Sequence, residues 1–555
     1  MGCGLWRWGG PGGAAPLAQQ GGRPLEFDFV VVGAGSSGAV VANRLSENPA
    51  VSVALIEAGG HGRGALMDVP AALGAHSFLT KNNWSFESEP CPGTSGRRHF
   101  CARGKGLGGS SAINAMIYIR GDATDYDHWA QLGNRGWSYV DVLPYFRRAE
   151  ANSRGASEYH GGDGPLSVGD VPNNYRTAAR FLAAAREAGH QDNTDFNGDA
   201  LAGVGEYQFT VRDGRRCSTR NAYLDPVLGR KNLTVLTGYH AERINIENGR
   251  CVSIDLLRGD TRTVIKARRE ITLSCGTFAT PKLLMLSGIG PGAELTSHGI
   301  EVVCESPGVG RNLADHPDIQ VGYRSRRSDG LSLTPTGLVG VIRDAVQYAF
   351  SRRGRLSQSL VQAGGFVRSA SYVDIPDLQL HFASLLYGDY GRDLKLLATR
   401  GVSLHACLLR PQSVGTVTLR DANPSSAPVI QLNLLDRPED ITILVRAVEL
   451  LRKIMTQPAL ADFIEEEVLP GPAITNVVDI ETYIRAACQH AYHPVGTARM
   501  GWDDMAVVDD KLKVRGLDGL NIADASVMPK IVSGNTNAAC IMIGEKAADL
   551  IRERT

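Results

Sequence analysis

The sequence predicts an α/β protein: a discontinuous parallel sheet flanked by helices, carrying a second domain with a mixed or antiparallel sheet and helices. Three observations point there. A strand–turn–helix–strand pattern opens the folded part, at residues 27–57. Further buried-strand patterns recur near residues 233, 270 and 519. Alternating strand patterns occupy the long stretch 318–480 between them.

Phe27–Val32 is a continuous apolar run of strand length bounded by glycine, as expected of a parallel strand buried on both faces. After Ser36, the residues Val40, Val41 and Leu45 share a helix with small residues, and "VSVALIEAGG" gives a second buried strand ending at Glu57. Strand, tight turn, helix and strand make a βαβ unit of about thirty residues, the start of a Rossmann-like domain. "LTVLTG" from Leu233, "REITLSCG" ending at Gly276 and "GLNIADAS" from Gly519 read as further buried strands. After the last of these, Ile541, Gly544, Ala548 and Ile551 form the apolar stripe of an amphipathic helix. "DLQLHFASL" (377–385) and "GTVTLRD" (415–421) alternate with period two and belong to the second sheet.

The expected division follows. Residues 1–25 are a disordered tail, with a transit peptide as the alternative reading of their Gly/Ala/Pro/Gln-rich, acid-free composition. Residues 26–160, 210–317 and 481–555 form the dinucleotide-binding domain, and 161–209 with 318–480 the substrate-binding domain.

Lys+Arg and Asp+Glu both number 58, so the charge balance points to no nucleic-acid or acidic partner. The ten cysteines include no CxxC pair, which argues against zinc knuckles and redox dithiols and for single thiols in a reducing compartment. No apolar run approaches 18 residues, so no transmembrane helix is expected; the location is cytoplasmic or peripheral to a membrane.

Gly33-Ala34-Gly35-Ser36-Ser37-Gly38 is a GxGxxG between strand and helix. The first glycine makes the turn, the second admits a pyrophosphate to the backbone, and the third lets helix and strand pack closely. The helix N-terminus then favours the anion, and Glu57 can accept from ribose hydroxyls. The motif does not separate NAD from FAD. A second glycine cluster, "RGKGLGGSSAINAMIYIRG" (103–121), can offer consecutive N–H groups as an anion nest and runs into an apolar segment that must be buried.

"CQHAYHPVGTARMG" (488–501) holds His490 and His493. No metal site is expected there, because no cysteine or carboxylate lies at ligand spacing and Pro494 opposes the helix that would align the two imidazoles.

"GKGLGGSSAIN", "GTFATPKLLMLSGIG" (276–290), "PGVGRNLADH" (307–316), "AYHPVGTARMG" and "ADASVMP…GNTNAACIMIGE" (523–545) occur in that order. Together they resemble the signature blocks of the glucose–methanol–choline (GMC) oxidoreductases. Within that family the chain resembles bacterial dehydrogenases of aliphatic alcohols, sorbose and polyethylene glycol, and choline dehydrogenase. The resemblance implies FAD at Gly33, Gly35, Ser36, Ser37, Gly38 and Glu57, along Arg103, Gly104, Gly108, Gly109, Ser110, Asn114 and Ala115, and near Asp524, Ala525, Asn535 and Thr536. Some members attach FAD through a histidine before the asparagine of the second glycine loop. Ile113 stands there, so FAD is expected to be non-covalent.

The resemblance also implies a catalytic pair, His493 and Asn535, with Asn537 ranked second to Asn535. An imidazole with an ordinary pKa of about 6.5 suits proton abstraction from an alcohol. His490 is read as a polar or packed neighbour and Cys407 as an inert buried thiol. The expected reaction is FAD-dependent oxidation of a primary alcohol to an aldehyde, with electrons passed to a quinone, cytochrome or oxygen. Choline dehydrogenase, a peroxide-forming alcohol oxidase and a non-redox cyanohydrin lyase are the competing readings.

Overall fold

The computed structural model describes residues 25–64, 66–72, 80–170, 175–327 and 334–554; nearly all of the tail expected over 1–25 lies outside these. The apolar run at the start becomes the strand Leu25–Val32, whose last five residues are all buried, and Val53–Glu57 is buried throughout. Parallel pairing joins Leu233–Thr237, Val53–Glu57, Leu25–Val32, the second half of Thr261–Leu273, and Leu520–Ile522. Three stretches of chain far apart in sequence therefore build one parallel sheet. The first half of Thr261–Leu273 continues past it and pairs antiparallel with Arg250–Arg258, which in turn pairs with His240–Glu247.

The last helix, Asn537–Arg554, departs from the amphipathic expectation. The predicted stripe Ile541, Gly544, Ala548 and Ile551 is buried, but so is every other residue from Ala538 to Ala548. The helix packs against both Gly38–Leu45 and Tyr139–Ala149, which cover it on more than one side. Its polar residues are satisfied in place. Glu545 takes charged hydrogen bonds from Arg44 and Arg148 at 2.8 Å, and Lys546 lies over the Trp137 and Tyr145 rings.

The second sheet is antiparallel, in the order Ile464–Leu469, Pro317–Ser325, Gly401–Leu408, Leu378–Ala383, Val361–Val367 and Gly203–Glu206; Gln489–His490 adds to Pro317–Ser325. One face is apolar: Ile319, Leu404, Ala406, Leu408, Leu378, Leu380 and Phe382 join a core with Leu444, Val448 and Leu451 of the helix Pro438–Met455. Period-two alternation puts Asp318, Gln379, His381, His405 and Cys407 on the opposite face. The "GTVTLRD" strand is short, Thr416–Thr418, and pairs outside this sheet with Val429–Gln431.

Candidate active site

Between the two sheets lies a cavity of about 1260 Å³. One wall is the pair of glycine loops. Gly33 turns at φ 99°, and a Cβ on Gly38 would overlap the Gly33 carbonyl oxygen, so helix and strand meet as closely as the motif requires. The second loop stacks on the first: Gly108 N–H donates to Ala34 O at 2.8 Å, and a Cβ on Gly109 would come within 2.6 Å of Gly35 Cα. Gly35 differs. Its nearest neighbour to an added Cβ is Gly109 Cα at 3.9 Å, so a side chain there would project into open cradle. Ser36 Oγ donates to Asn537 and Ser37 Oγ to the Cys540 carbonyl, tying the first loop to the last helix.

Glu57 lines this cradle but is already engaged: its carboxylate accepts from the backbone N–H groups of Ala34, Gly59 and Gly106 at 2.7–3.0 Å. Burial raises its pKa, against the pull of those three amides. Of the residues that the sequence reading assigns to the cofactor, all except Gly38 and Gly108 line the cavity. Those two sit behind the wall as backbone contacts. Asp524 joins the site's segments, accepting from Gly276 N–H, Thr280 Oγ1 and Ser526 N–H. Ile113 is buried and also faces the cavity.

His493 and Asn535 meet in the cavity wall, Nε2 to Nδ2 at 3.1 Å. Asn535 Oδ1 accepts from Gln379 Nε2 at 3.1 Å, which turns the Asn535 amide nitrogen towards the imidazole. That nitrogen can only donate, so this arrangement assigns His493 Nε2 as a bare lone pair. Nδ1 then carries the proton and donates to His316 Nδ1 at 3.1 Å. Burial, reinforced by the His316 ring, lowers the His493 pKa well below the ordinary value; burial lowers His316 to about 4. Both rings are therefore neutral near pH 7. Asn537 instead accepts from Ser36 and has no such contact with His493.

His490 plays another part. It is buried and absent from the cavity wall, and its Nδ1 donates to Asp315 Oδ2 at 2.8 Å while Nε2 lies 3.0 Å from Phe100 O. Against the cost of burial, Asp315 raises His490 to about 10. The other Asp315 oxygen accepts the backbone N–H of His493 at 2.9 Å and of His316 at 2.8 Å. One carboxylate thus holds both histidine-bearing loops. The three-residue spacing of His490 and His493 serves two separate jobs.

The opposite wall comes from the polar face of the second sheet, which sequence reasoning did not resolve. Asp318, His381, His405 and Cys407 line the cavity. His405 Nδ1 lies 2.7 Å from Asp318 Oδ2, Cys407 Sγ donates to Asp318 Oδ1 at 3.1 Å, and Tyr387 stacks on His405. Cys407 faces the cavity, and burial, with Asp318 beside it, keeps its thiol protonated. The signal was present in "LQLHFA" and "LHACLL": polar residues at every second position of a strand with no water to face.

The profile described as GMC oxidoreductase matches residues 27–318 with its N-terminal part and 411–544 with its C-terminal part. The chain is 42% identical over 532 residues to the alcohol dehydrogenase [acceptor] of Pseudomonas putida, covering 95% of each chain. It is 40% identical to the oxygen-dependent choline dehydrogenase of Brucella suis biovar 1 (strain 1330), covering 96% of each. Among solved structures, pyridoxine 4-oxidase from Mesorbium loti superposes with a TM-score of 0.84 at 31% identity, covering 94% of this chain and 98% of that one. A formate oxidase superposes with a TM-score of 0.88 at 27% identity, covering 96% and 99%. With family profiles at both ends and relatives aligned over nearly the whole length, the chain belongs to the GMC oxidoreductase family.

Proposed function

We propose that this flavin-dependent oxidoreductase converts a primary alcohol to an aldehyde, with FAD held non-covalently along the two glycine loops. The residues fit that group. Gly35 leaves an open cradle where a side chain would intrude, the helix Gly38–Leu45 begins beside it, and Ile113 has no atom able to form a covalent link to the flavin. FAD, when bound, supplies the acceptor for the hydride that leaves the carbinol carbon.

The observation that carries the reading is the His493–Asn535 pair. His493 Nε2, held as an unprotonated acceptor, takes the hydroxyl proton of the substrate. Asn535 Nδ2 donates to the same oxygen as negative charge develops on it. Asp315 fixes the His493 backbone, and Gln379 fixes the orientation of Asn535. The electrons then pass to a quinone, a cytochrome or oxygen.

Purified protein should be yellow and should bleach anaerobically with an alcohol from a panel of primary alcohols. A folded, flavin-free protein, or a flavin that no alcohol reduces, would overturn the proposal. Comparing peroxide formation with dye reduction separates oxidase from dehydrogenase.

A second reading, oxidation of a cationic alcohol such as choline, rests on Asp318. Against burial, His405 holds the Asp318 carboxyl below its ordinary range, so the cavity wall carries an anion, with Tyr387 beside it. A preference for choline over a neutral alcohol of similar size, lost in Asp318→Asn, would favour this reading.

A further inference from the structure

The helix Pro335–Ser351 is built inside out. Its inward side carries polar groups: Asp344 is buried and paired with Arg355 at 2.6 Å, and Tyr348 Oη donates to Gly214 O at 3.0 Å. Its outward side carries large apolar residues. Leu338 is 46% exposed, Val339 68%, Ile342 65%, Val346 53% and Phe350 90%. Spaced at 338, 339, 342, 346 and 350, they form one continuous stripe. A run of this kind on a protein surface marks an interaction site.

Two further observations bear on what covers it. First, cations border the stripe. Arg343 projects from the helix, Arg352 and Arg353 follow its end, and Arg212 and Arg215 belong to the hairpin beneath Tyr348; all five are exposed. Asp344, the acid on the helix, pairs with Arg355 at 2.6 Å and lies 3.8 Å from Arg343, and Asp213 is exposed in the hairpin, so the five arginines are only partly offset. Second, the cavity reaches the surface here. Val341 and Ala345 of the same helix line it, and Ala345 is exposed, as are Leu66 and Leu394 on the cavity's edge.

We propose that the outward face of the helix 335–351 docks this protein on an anionic lipid bilayer, bringing the mouth of the active-site cavity against the membrane. An in-plane helix with bulky apolar residues on one side and arginines at the flanks has the chemistry for this. The side chains enter the boundary of the acyl region, and the guanidinium groups meet lipid phosphates. A protein partner would need its own complementary acidic rim; an anionic bilayer offers both the apolar layer and the negative charge over any contour. At about 1.5 Å per residue the helix is some 25 Å long and lies along the surface instead of crossing it. Among the described residues, no helix is long and apolar enough to cross a membrane. Docking in this orientation gives apolar alcohols or a lipid-soluble electron acceptor a direct route to the cavity. That consequence rests on the alcohol-oxidising reading, whereas the docking itself does not.

The test is co-sedimentation of the holoenzyme with vesicles, without substrate. Wild-type protein should pellet with phosphatidylcholine–phosphatidylglycerol vesicles, less with phosphatidylcholine alone, and less as salt screens the arginines. The variant Ile342→Glu/Phe350→Glu should lose at least about tenfold in partitioning, with flavin absorbance and dye-linked turnover unchanged. Wild-type protein remaining in the supernatant with both vesicle types would overturn the proposal. So would a double variant that pellets as well as wild type, or one whose change is a loss of self-association in sedimentation velocity. Failure of the catalytic proposal would appear in flavin bleaching and leave the pelleting untouched.

Discussion

Asp315 and His490 form an ion pair sealed inside the protein, Oδ2 to Nδ1 at 2.8 Å, with each side chain 1% exposed. Removing one partner leaves the other charge buried and uncompensated. His490→Ala should therefore cost about 3–5 kcal/mol of stability, read from urea denaturation. Because Asp315 also holds His493, turnover should fall in Asp315→Asn even where flavin content is retained. The pH dependence has a defined sign: His490 is raised to about 10, so its contribution is complete below about pH 6.5 and disappears as pH rises towards 10.

His493 is the proposed proton acceptor, and its lowered pKa sets the acid limb of turnover. Turnover should stay level as pH falls through about 6.5, where an ordinary imidazole would protonate, and decline only well below it. His493→Ala should reduce kcat by about 10²–10⁴-fold with FAD still bound. Undiminished turnover would exclude His493 from the chemistry.

Asn535→Asp should move that acid limb. A carboxylate against His493 Nε2 favours the imidazolium and raises the pKa of the base. Activity should drop at neutral pH and recover as pH rises. An acid limb unchanged from wild type would separate Asn535 from the control of His493.

Neutral buried histidines should make the fold acid-labile. Burial lowers His316 and His381 to about 4 and His99 to about 3. In the unfolded chain each takes up a proton below about pH 6.5, so native stability is lost progressively from there down towards pH 4. At a pH of about 5 each costs about 1–2 kcal/mol, and denaturation midpoints measured across this range should fall accordingly.

Two glycines of one motif should fail differently. Gly38→Ala forces a methyl group onto the Gly33 carbonyl and should destabilise the whole domain. Gly35→Ala meets only open cradle and should fold but bind FAD weakly. Thermal melts and flavin content, measured together, distinguish the two.

The parallel sheet was readable in the sequence because its strands are rich in apolar residues between glycine-containing turns: Phe27–Val32 and Leu233–Thr237 both form strands, each paired parallel with Val53–Glu57. The glycine loops were equally visible, since close backbone approach leaves no other residue type. The all-round burial of Ala538–Ala548 in the last helix was not, because Glu545 and Lys546 look solvent-facing until Arg44, Arg148 and Trp137 are brought to them. His316 stayed hidden for the same reason. Its partner is 177 residues away, and only the fold brings the two imidazoles to within 3.1 Å. The wall of Asp318, His381 and Cys407 needed the register of three strands before its alternation acquired a direction.

The bond from Ser37 Oγ to the Cys540 carbonyl spans 503 residues. On a ribosome adding about 5–20 residues per second, the first half of the flavin cradle waits roughly 25–100 s for its closing helix. The complete cradle for FAD therefore exists only once that helix has been made. The opening βαβ unit must persist, or be chaperoned, as an unfinished surface until the last helix is synthesised.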